Sequence, residues 1–142
     1  MEPYRKADKP FFAYLAFTTA HLPIQAPTGL AERYYEKYLK LGWDGLKADR
    51  LTRLIDAGVL PKGSQLPSKN PITRPWDSLS EQEKKIQAKV FATYAAMIES
   101  QDRHIGRVID WLRETGELDN TLIIYMTDNG PEGTDAFGEL GN

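Results

Sequence analysis

Cysteine is absent from this chain of 142 residues, and its absence excludes several kinds of chemistry. Without thiols there are no disulfide bonds, no zinc sites built on thiolates and no cysteine nucleophile. Long apolar runs are also absent, because none approaches the roughly 20 residues of a membrane-spanning helix. The polar start from Met1 to Lys6 lacks the apolar stretch of a signal peptide. The sequence therefore predicts no membrane association and no signal peptide in this chain, and leaves periplasm and cytoplasm open for a full-length protein.

No concentration of charge of one sign is present either. The formal net charge is −2, and Lys and Arg are interspersed with Asp and Glu. A nucleic-acid-binding surface needs clustered cations that neutralise phosphates. We therefore predict no nucleic acid partner.

The chain does contain two apolar runs of strand length. Residues 11–17 and 121–127 are nearly continuous in apolar and aromatic side chains. Such runs are typical of strands that are covered on both faces, as in a parallel sheet. The second run ends in Asp128-Asn129-Gly130, which is a turn signal.

A long helix is predicted between these runs, over residues 81–115. Ser80 and Glu83 have the spacing of a capping box, and Gly116 is placed to end the helix in a left-handed turn. We expect close packing against a neighbour to explain the helical Gly106. A solvated helix face is predicted for four glutamates: Glu81, Glu83, Glu99 and Glu114.

The remaining stretch is less regular. Short helices are predicted at 30–39 and 46–57, the second ended by Gly58. Residues 61–75 contain four prolines and are predicted to form an ordered surface loop or lid.

A strand, a crossover helix and a second strand make a βαβ unit, so the predicted fold class is α/β with parallel strands. Parallel strands place their carboxyl ends at one edge of the sheet, where ligands of α/β proteins bind. His21 follows the first strand, and Asp128 and Asn129 follow the second. We therefore expect these three residues to face one cavity.

The three residue types suit a common chemistry. Asp128 and Asn129 offer the hard oxygen ligands that Ca²⁺ and Mg²⁺ prefer. His21 can donate a hydrogen bond or a proton to a leaving oxygen. From the pattern alone, Asp-Asn-Gly is also an ordinary turn and His21 also a structural hydrogen-bonding residue. His104, on the predicted helix, is interpreted as structural.

Taken together, these segments resemble the bacterial arylsulfatases of the sulfatase family. The resemblance rests on the strand and histidine-proline loop of residues 9–27, on the long helix from 94 to 112, and on residues 116–130. These segments occur in the family's order and cover nearly the whole chain.

The resemblance implies a partial alkaline-phosphatase-like sandwich, with residues 1–142 as a fragment of a catalytic domain that hydrolyses sulfate esters. It implies a formylglycine nucleophile, made from Cys or Ser in a C/S-x-P-x-R motif, and a divalent cation, usually Ca²⁺. Asp128 and Asn129 match the family's metal-binding pair. His21 matches a histidine that contacts the sulfate and protonates the leaving alkoxide.

The chain departs from the family at the nucleophile. It contains no C/S-x-P-x-R motif and no counterpart of the family's amino-terminal Asp pair. We therefore expect a sulfate ester substrate only in the full-length context, an isolated chain that is inactive, and self-association of that chain. Two alternatives stay open: a non-catalytic binding or scaffolding module of the same fold, and a phosphodiesterase or phosphonate-hydrolase relative. The second is disfavoured by Asn129, where phosphate-cleaving relatives tend to carry histidine.

Overall fold

Two long helices dominate the computed structural model, which describes residues 9–69, 71 and 73–130. Helix α1 spans Glu32–Asp56 and helix α2 spans Glu81–Glu114. A short 3₁₀ helix precedes α2 at Trp76–Ser78, and another follows it at Leu118–Asn120. Within the described part of the chain, no helix is both long enough and apolar enough to cross a membrane.

Helix α2 begins and ends where the sequence predicts. The Ser80 hydroxyl accepts from the Glu83 backbone N–H at 3.3 Å, and the Glu83 carboxylate accepts from the Ser80 backbone N–H at 2.7 Å. At the other end Gly116 has a φ of +75°, and the Glu117 N–H donates to the Leu112 carbonyl at 2.9 Å. This is the 6→1 bond of a Schellman motif. The capping box and the glycine stop are both confirmed.

Two helical segments are present as predicted, but they continue through residues 40–45 and join at a kink to form α1. The segment is helical from Glu32 to Asp56, except at Gly42, where φ is +58° and ψ is −176°. A Cβ on Gly42 would lie 2.3 Å from the Trp76 ring, so the kink receives this side chain and only glycine fits beneath it. The predicted stop at Gly58 is confirmed, because Gly58 has a φ of +71° and the Val59 N–H returns to the Leu54 carbonyl at 2.9 Å.

The core lies between the two helices. Small residues of α2 face α1 and are almost completely buried, namely Ala88, Ala92 and Ala96. Leu30 packs beside two of them, and Trp76 with Leu79 packs beside the third. Alanines let the helices approach closely, and the larger side chains pack beside them. Among the described residues, a Cβ on Gly106 would meet nothing within 4 Å, so the close packing expected there is not present in this part of the chain.

The two predicted strands are not formed within the described residues. Residues 11–17 and 121–127 have neither helix nor strand assignment, and most of their side chains are exposed. A strand is defined by hydrogen bonds to a neighbouring strand, and neither run has such a partner in the part of the chain that is described. The predicted α/β sandwich, with its parallel βαβ pairing, is therefore not shown by this structure.

The proline-rich stretch is a loop, as predicted. Its described residues have no regular structure, while positions 70 and 72 lie outside the described part. It is fixed at its carboxyl end, where Trp76 is buried against α1. Its action as a lid stays a prediction.

Candidate functional site

His21 lies in the exposed loop that follows residues 11–17. Its backbone N–H donates to the Thr18 carbonyl at 3.1 Å, which closes a turn. Its ring Nδ1 lies 3.0 Å from the Leu22 carbonyl oxygen. A carbonyl oxygen can only accept, so Nδ1 carries the proton. Nε2 lies outside this hydrogen bond, and it can accept a hydrogen bond in the neutral ring and donate one in the imidazolium.

Asp128 and Asn129 lie in an exposed bend after residues 121–127. The Thr127 hydroxyl donates to the Asn129 carbonyl at 2.7 Å, and the Asn129 side-chain Nδ2 donates to the Gly130 carbonyl at 2.6 Å. These bonds fix the bend and occupy the amide nitrogen. They leave the Asn129 Oδ1, the atom that could ligate a cation, outside the hydrogen bond.

The structure does not bring His21 and the Asp128-Asn129 pair into a common described cavity. Each makes its hydrogen bonds with its own chain neighbours. Among the described residues there is no group of three or more His, Asp or Glu side chains able to hold a metal ion. Their juxtaposition depends on the sheet edge that these residues do not form, and it stays a prediction.

Two cavities lie elsewhere. A groove of about 270 Å³ between the helices is lined by Glu32, Tyr35, Glu36, Lys85 and Lys89. Lys89 crosses this groove to reach Glu32 at 3.0 Å. A cavity of about 20 Å³ lies beside Trp43 and the proline-rich loop. Neither cavity is lined by a predicted site residue.

The chemistry of the predicted ligands fits a hard cation in part. A carboxylate and an amide oxygen are both suitable donors, but Ca²⁺ takes six to eight oxygens. Asp128 and Asn129 supply about two or three of these. Asp128 and Asn129 thus have the donor chemistry of ligands for a hard cation, and are too few to hold such a cation alone.

A polar cluster around Glu99 joins the two helices and was not predicted from the sequence. Glu99 of α2, predicted to be solvated, accepts from the Tyr34 hydroxyl at 2.5 Å and from Arg103 at 2.6 Å, and also pairs with Arg33. Its side chain is only 18% exposed, so the solvated assignment is wrong. The only local signal was the i,i+4 spacing to Arg103, because Arg33 and Tyr34 are more than 60 residues away.

Hydrogen bonding shifts the acidities within this Glu99 cluster. The Tyr34 hydrogen bond, followed by the Arg103 hydrogen bond and the Arg33 charge, lowers the pKa of Glu99 below its usual value of 4.5. The hydrogen bond to Glu99 in turn raises the pKa of Tyr34 above 10. Glu99 is therefore held as a carboxylate and Tyr34 as a neutral phenol. Such a pair ties α1 to α2, and neither group is prepared to exchange a proton near neutral pH.

His104, the second histidine, is exposed on α2 with its Nδ1 3.2 Å from Arg107. Of the remaining glutamates predicted to be solvated, Glu81 and Glu114 are exposed. Glu83 is half-buried because its carboxylate serves the capping box. None of these residues lies with His21 or Asp128 in a described cluster.

Comparison with known proteins identifies the family. Residues 3–140 match the family model described as Sulfatase. The chain therefore belongs to the sulfatase family, and the matched stretch includes His21, Asp128 and Asn129. Membership implies an alkaline-phosphatase-like fold and a family that generally uses a divalent cation.

Curated relatives support the same assignment. The chain is 43% identical to an uncharacterized sulfatase of Schizosaccharomyces pombe over 131 residues, which are 92% of this chain and 24% of that protein. It is 35% identical to an arylsulfatase of Klebsiella aerogenes over 130 residues, which are 92% of this chain and 28% of that protein. A shorter match of 46% over 41 residues, 29% of this chain and 8% of the relative, is to a multifunctional alkaline phosphatase superfamily protein of Trinickia caryophylli. The chain thus spans about a quarter of the length of the first two relatives. Because the fungal protein is the more similar of these two, a specifically bacterial arylsulfatase is not established.

Proposed function

We propose that this chain is part of the catalytic domain of a sulfatase that hydrolyses aryl sulfate esters. The observation that carries the proposal is the similarity to the Klebsiella arylsulfatase over 92% of the chain, within a family match that includes all three candidate residues. The exposed positions of those residues also support it, since a site completed by other segments must leave its partial set accessible.

In this proposal His21 acts on the sulfate and on the leaving oxygen. The hydrogen bond from its Nδ1 to the Leu22 carbonyl orients the ring and leaves Nε2 to meet the substrate. As an imidazolium, Nε2 can donate to a sulfate oxygen and then give its proton to the departing phenolate. A positioned acid of this kind contributes about 10²- to 10⁴-fold in rate.

Asp128 and Asn129 are proposed as part of a divalent cation site, with Ca²⁺ or Mg²⁺ as the ion. When bound, such an ion stabilises negative charge that develops on the ester oxygens. Hydrogen bonds from the Thr127 hydroxyl to the Asn129 carbonyl and from the Asn129 side chain to the Gly130 carbonyl fix the bend that carries both residues. The remaining ligands belong to other parts of the domain.

The nucleophile is proposed to be a formylglycine that lies outside this chain. The sequence has no cysteine and no Ser-x-Pro-x-Arg motif from which it could be made. An activated nucleophile also needs a base beside it. The Ser80 hydroxyl donates to the Glu83 carboxylate at 2.8 Å, but the pKa of Glu83 is lowered to about 2, which makes it too weak a base for this role. The chain by itself is therefore proposed to be inactive.

The fold proposed for the complete domain is an α/β sandwich. In it, residues 11–17 and 121–127 become parallel strands joined by the crossover through α2. Their apolar composition and their exposure in the isolated chain support this, because strands of a parallel sheet are covered on both faces. The pairing would bring His21 and Asp128 to the same edge.

A phosphate-ester activity is the second candidate. It is favoured by the short match to the multifunctional alkaline phosphatase superfamily protein. It is opposed by Asn129, because phosphate-cleaving relatives tend to carry histidine at this position. A phosphodiester substrate distinguishes the two functions in the experiment below.

A chimera tests the proposal directly. The stretch of the Klebsiella arylsulfatase that aligns with this chain is replaced by the chain, and turnover of 4-nitrocatechol sulfate and of bis(4-nitrophenyl) phosphate is measured with Ca²⁺. We expect the sulfate ester to be the better substrate. His21→Ala is expected to lower its kcat by about 10²- to 10⁴-fold, whereas His104→Ala, at the other histidine of the chain, leaves it unchanged.

The cation ligands have an equally close control. Asp119-Asn120 is a second Asp-Asn pair, exposed in the 3₁₀ helix Leu118–Asn120. Asp128→Ala is expected to raise the Ca²⁺ concentration needed for activity, and Asp119→Ala is not. Full activity in both His21→Ala and Asp128→Ala would show that the site is wrongly assigned. Faster cleavage of the phosphodiester would favour the second candidate.

A further inference from the structure

The loop of residues 18–29, which we call the His21 loop, is joined to the helix pair near its carboxyl end. Ala26 packs against a buried apolar cluster that contains residues of both sides: Leu30, Ala31, Ala92 and Ala96. The Leu30 N–H donates to the Pro27 carbonyl at 3.2 Å, which closes the turn leading into α1. The described contact with the core therefore comes five residues after His21.

Helix α1 has no local cap at the point where this loop enters it. Its N-cap residue is Ala31, which offers no side-chain acceptor to the N–H groups of the first turn. Helix α2, by contrast, begins with the complete capping box of Ser80 and Glu83. The position of the first turn of α1 therefore depends on its contacts with α2.

Glu99 supplies the polar part of those contacts. Its carboxylate accepts from the Tyr34 hydroxyl at 2.5 Å and pairs with Arg33, and both partners belong to the first turn of α1. Arg103 donates to the same carboxylate at 2.6 Å from one turn further along α2. The Glu99 side chain is 18% exposed, whereas the other carboxylates in ion pairs of the described residues are 32% to 80% exposed. Glu99 is thus the most enclosed of these ion-pairing carboxylates.

We propose that Glu99 is a positioning residue for His21. By holding the first turn of α1 on α2, it fixes the end of the His21 loop that packs on the core. The five residues from His21 to Ala26 span at most about 17 Å when fully extended, so a shift of this end moves the imidazole. A general acid must lie within hydrogen-bond reach of the leaving oxygen, so such a shift lowers the rate. The inference rests on the proposed function, because it takes His21 as that acid.

Hydrogen exchange in the isolated chain tests the positioning without any turnover. Tyr34→Phe removes one donor to Glu99 and keeps the ring that packs on the apolar cluster. Tyr38→Phe is the matched control, because its ring packs on the same cluster and its hydroxyl lies outside the contacts of Glu99. Amide exchange is followed by NMR at a concentration where sedimentation shows monomers.

We expect the His21 and Leu30 amides to exchange at least about fivefold faster in Tyr34→Phe, with the amides of Ala92 and Ala96 changed by less than about twofold. In Tyr38→Phe the loop amides should keep their original rates. Equal loop exchange in the two variants would overturn the proposal. An equal acceleration at Ala92 and Ala96 would also overturn it, because the whole helix pair would then be destabilised.

The leaving group separates positioning from a general loss of folded enzyme. In the Klebsiella chimera, kcat is measured for phenyl sulfate and for 4-nitrocatechol sulfate. Phenol is the weaker acid, so its departure depends more on a proton from His21. Tyr34→Phe and Glu99→Gln should each lower kcat for phenyl sulfate at least about fivefold more than for 4-nitrocatechol sulfate, and Tyr38→Phe should leave the ratio unchanged.

A fall by the same factor for both esters would overturn the proposal, since less folded enzyme gives that result. Tyr34→Phe decides the outcome if Glu99→Gln fails to fold. The exchange measurement does not depend on catalysis. Faster loop exchange in Tyr34→Phe, together with a chimera that hydrolyses neither ester, would therefore retain the tie between Glu99 and the His21 loop and reject the proposed function.

Discussion

The helix pair and the two apolar runs differ in how many of their polar groups are hydrogen-bonded and in how much of their apolar surface is buried within the chain. In the helix pair, Glu99 and Glu83 have several partners each, and Trp76, Leu79 and three alanines are buried. In residues 11–17 and 121–127, the backbone has no partner strand among the described residues and most side chains are exposed. The candidate site residues His21, Asp128 and Asn129 come directly after these exposed apolar runs. The helix pair is therefore held together by contacts within this chain, whereas the proposed chemistry depends on segments outside it.

Activity gives the largest expected difference between the two contexts. We expect no turnover of 4-nitrocatechol sulfate by the isolated chain, with or without Ca²⁺, because the proposed nucleophile is not in it. The Klebsiella chimera is expected to turn over the same substrate in the same assay. Turnover by the rigorously purified isolated chain, lost in His21→Ala, would contradict the division between scaffold and chemistry.

Removing the largest buried side chain tests the helix pair. Trp76→Ala empties the space over Gly42 and beside Trp43. The rings of Trp76 and Trp43 pack edge to face, with their centroids 5.0 Å apart. A large-to-small change of this kind costs about 3–5 kcal/mol in the free energy of unfolding. Urea denaturation followed by circular dichroism at 222 nm measures it. The exposed neighbour supplies the control, because Asp77→Ala should change stability by less than about 0.5 kcal/mol. Equal effects of the two changes would show that α1 and α2 do not need the Trp76 contact.

Self-association tests the apolar runs. We expect the isolated chain to associate at rising concentration, because uncovered apolar side chains promote it. Ile124→Lys should weaken association by about tenfold or more, since the lysine must be desolvated in any contact there. Val59→Lys, at an exposed apolar residue outside both runs, should change it little. Sedimentation equilibrium compares the three proteins, and equal association of all three would mean that the contact lies elsewhere.

Acid pH tests how much the hydrogen-bonded carboxylate of Glu83 stabilises the helix pair. Hydrogen bonds from the Ser80 backbone and hydroxyl, and then from Arg74, lower the pKa of Glu83 from 4.5 to about 2. A group whose pKa is lowered by folding adds stability that is present above its unfolded value and lost as pH falls through its folded value. The melting temperature should therefore fall between about pH 4.5 and pH 2. Glu83→Gln should be less stable at neutral pH and show a flatter profile, unlike Glu81→Gln at the exposed start of α2. If the melting temperature of Glu83→Gln fell with pH as steeply as that of the original chain, the capping carboxylate would not be the cause of the acid sensitivity.

Calcium gives the smallest expected effect. The isolated chain offers about two or three oxygens of the six to eight that Ca²⁺ takes. Titration calorimetry should detect no tight binding, and Asp128→Ala should leave the small heats unchanged. Tight binding that Asp128→Ala abolishes would show that these residues form a complete site.

Local rules account for the parts of the fold that were predicted well. The ends of α2 and the stop at Gly58 follow from hydrogen bonds between residues only a few positions apart. The kink at Gly42 could not be read in this way, because its cause is Trp76, 34 positions later, which packs where a Cβ would stand. Glu99 was misassigned for the same reason, since its partners Arg33 and Tyr34 lie on the other helix.

The candidate site also has features that local sequence determines and features that depend on distant residues. The types of its residues and their order in the chain are properties of the sequence, and they led to the sulfatase family that the comparison establishes. The single hydrogen bonds that orient His21 and Asn129 are local and could be formed in this chain. The distance between His21 and Asp128 is not local, because it depends on the pairing of two segments a hundred positions apart.

The sequence by itself determined the limits of α2, the family and the identity of the candidate residues, because capping, periodicity and motif order act over short separations. Only the tertiary structure decided that α1 bends over Trp76, that Glu99 joins two helices and that the apolar runs stay exposed. These features are contacts between distant residues, and their free energy comes from burying surface and satisfying charges that no local pattern contains.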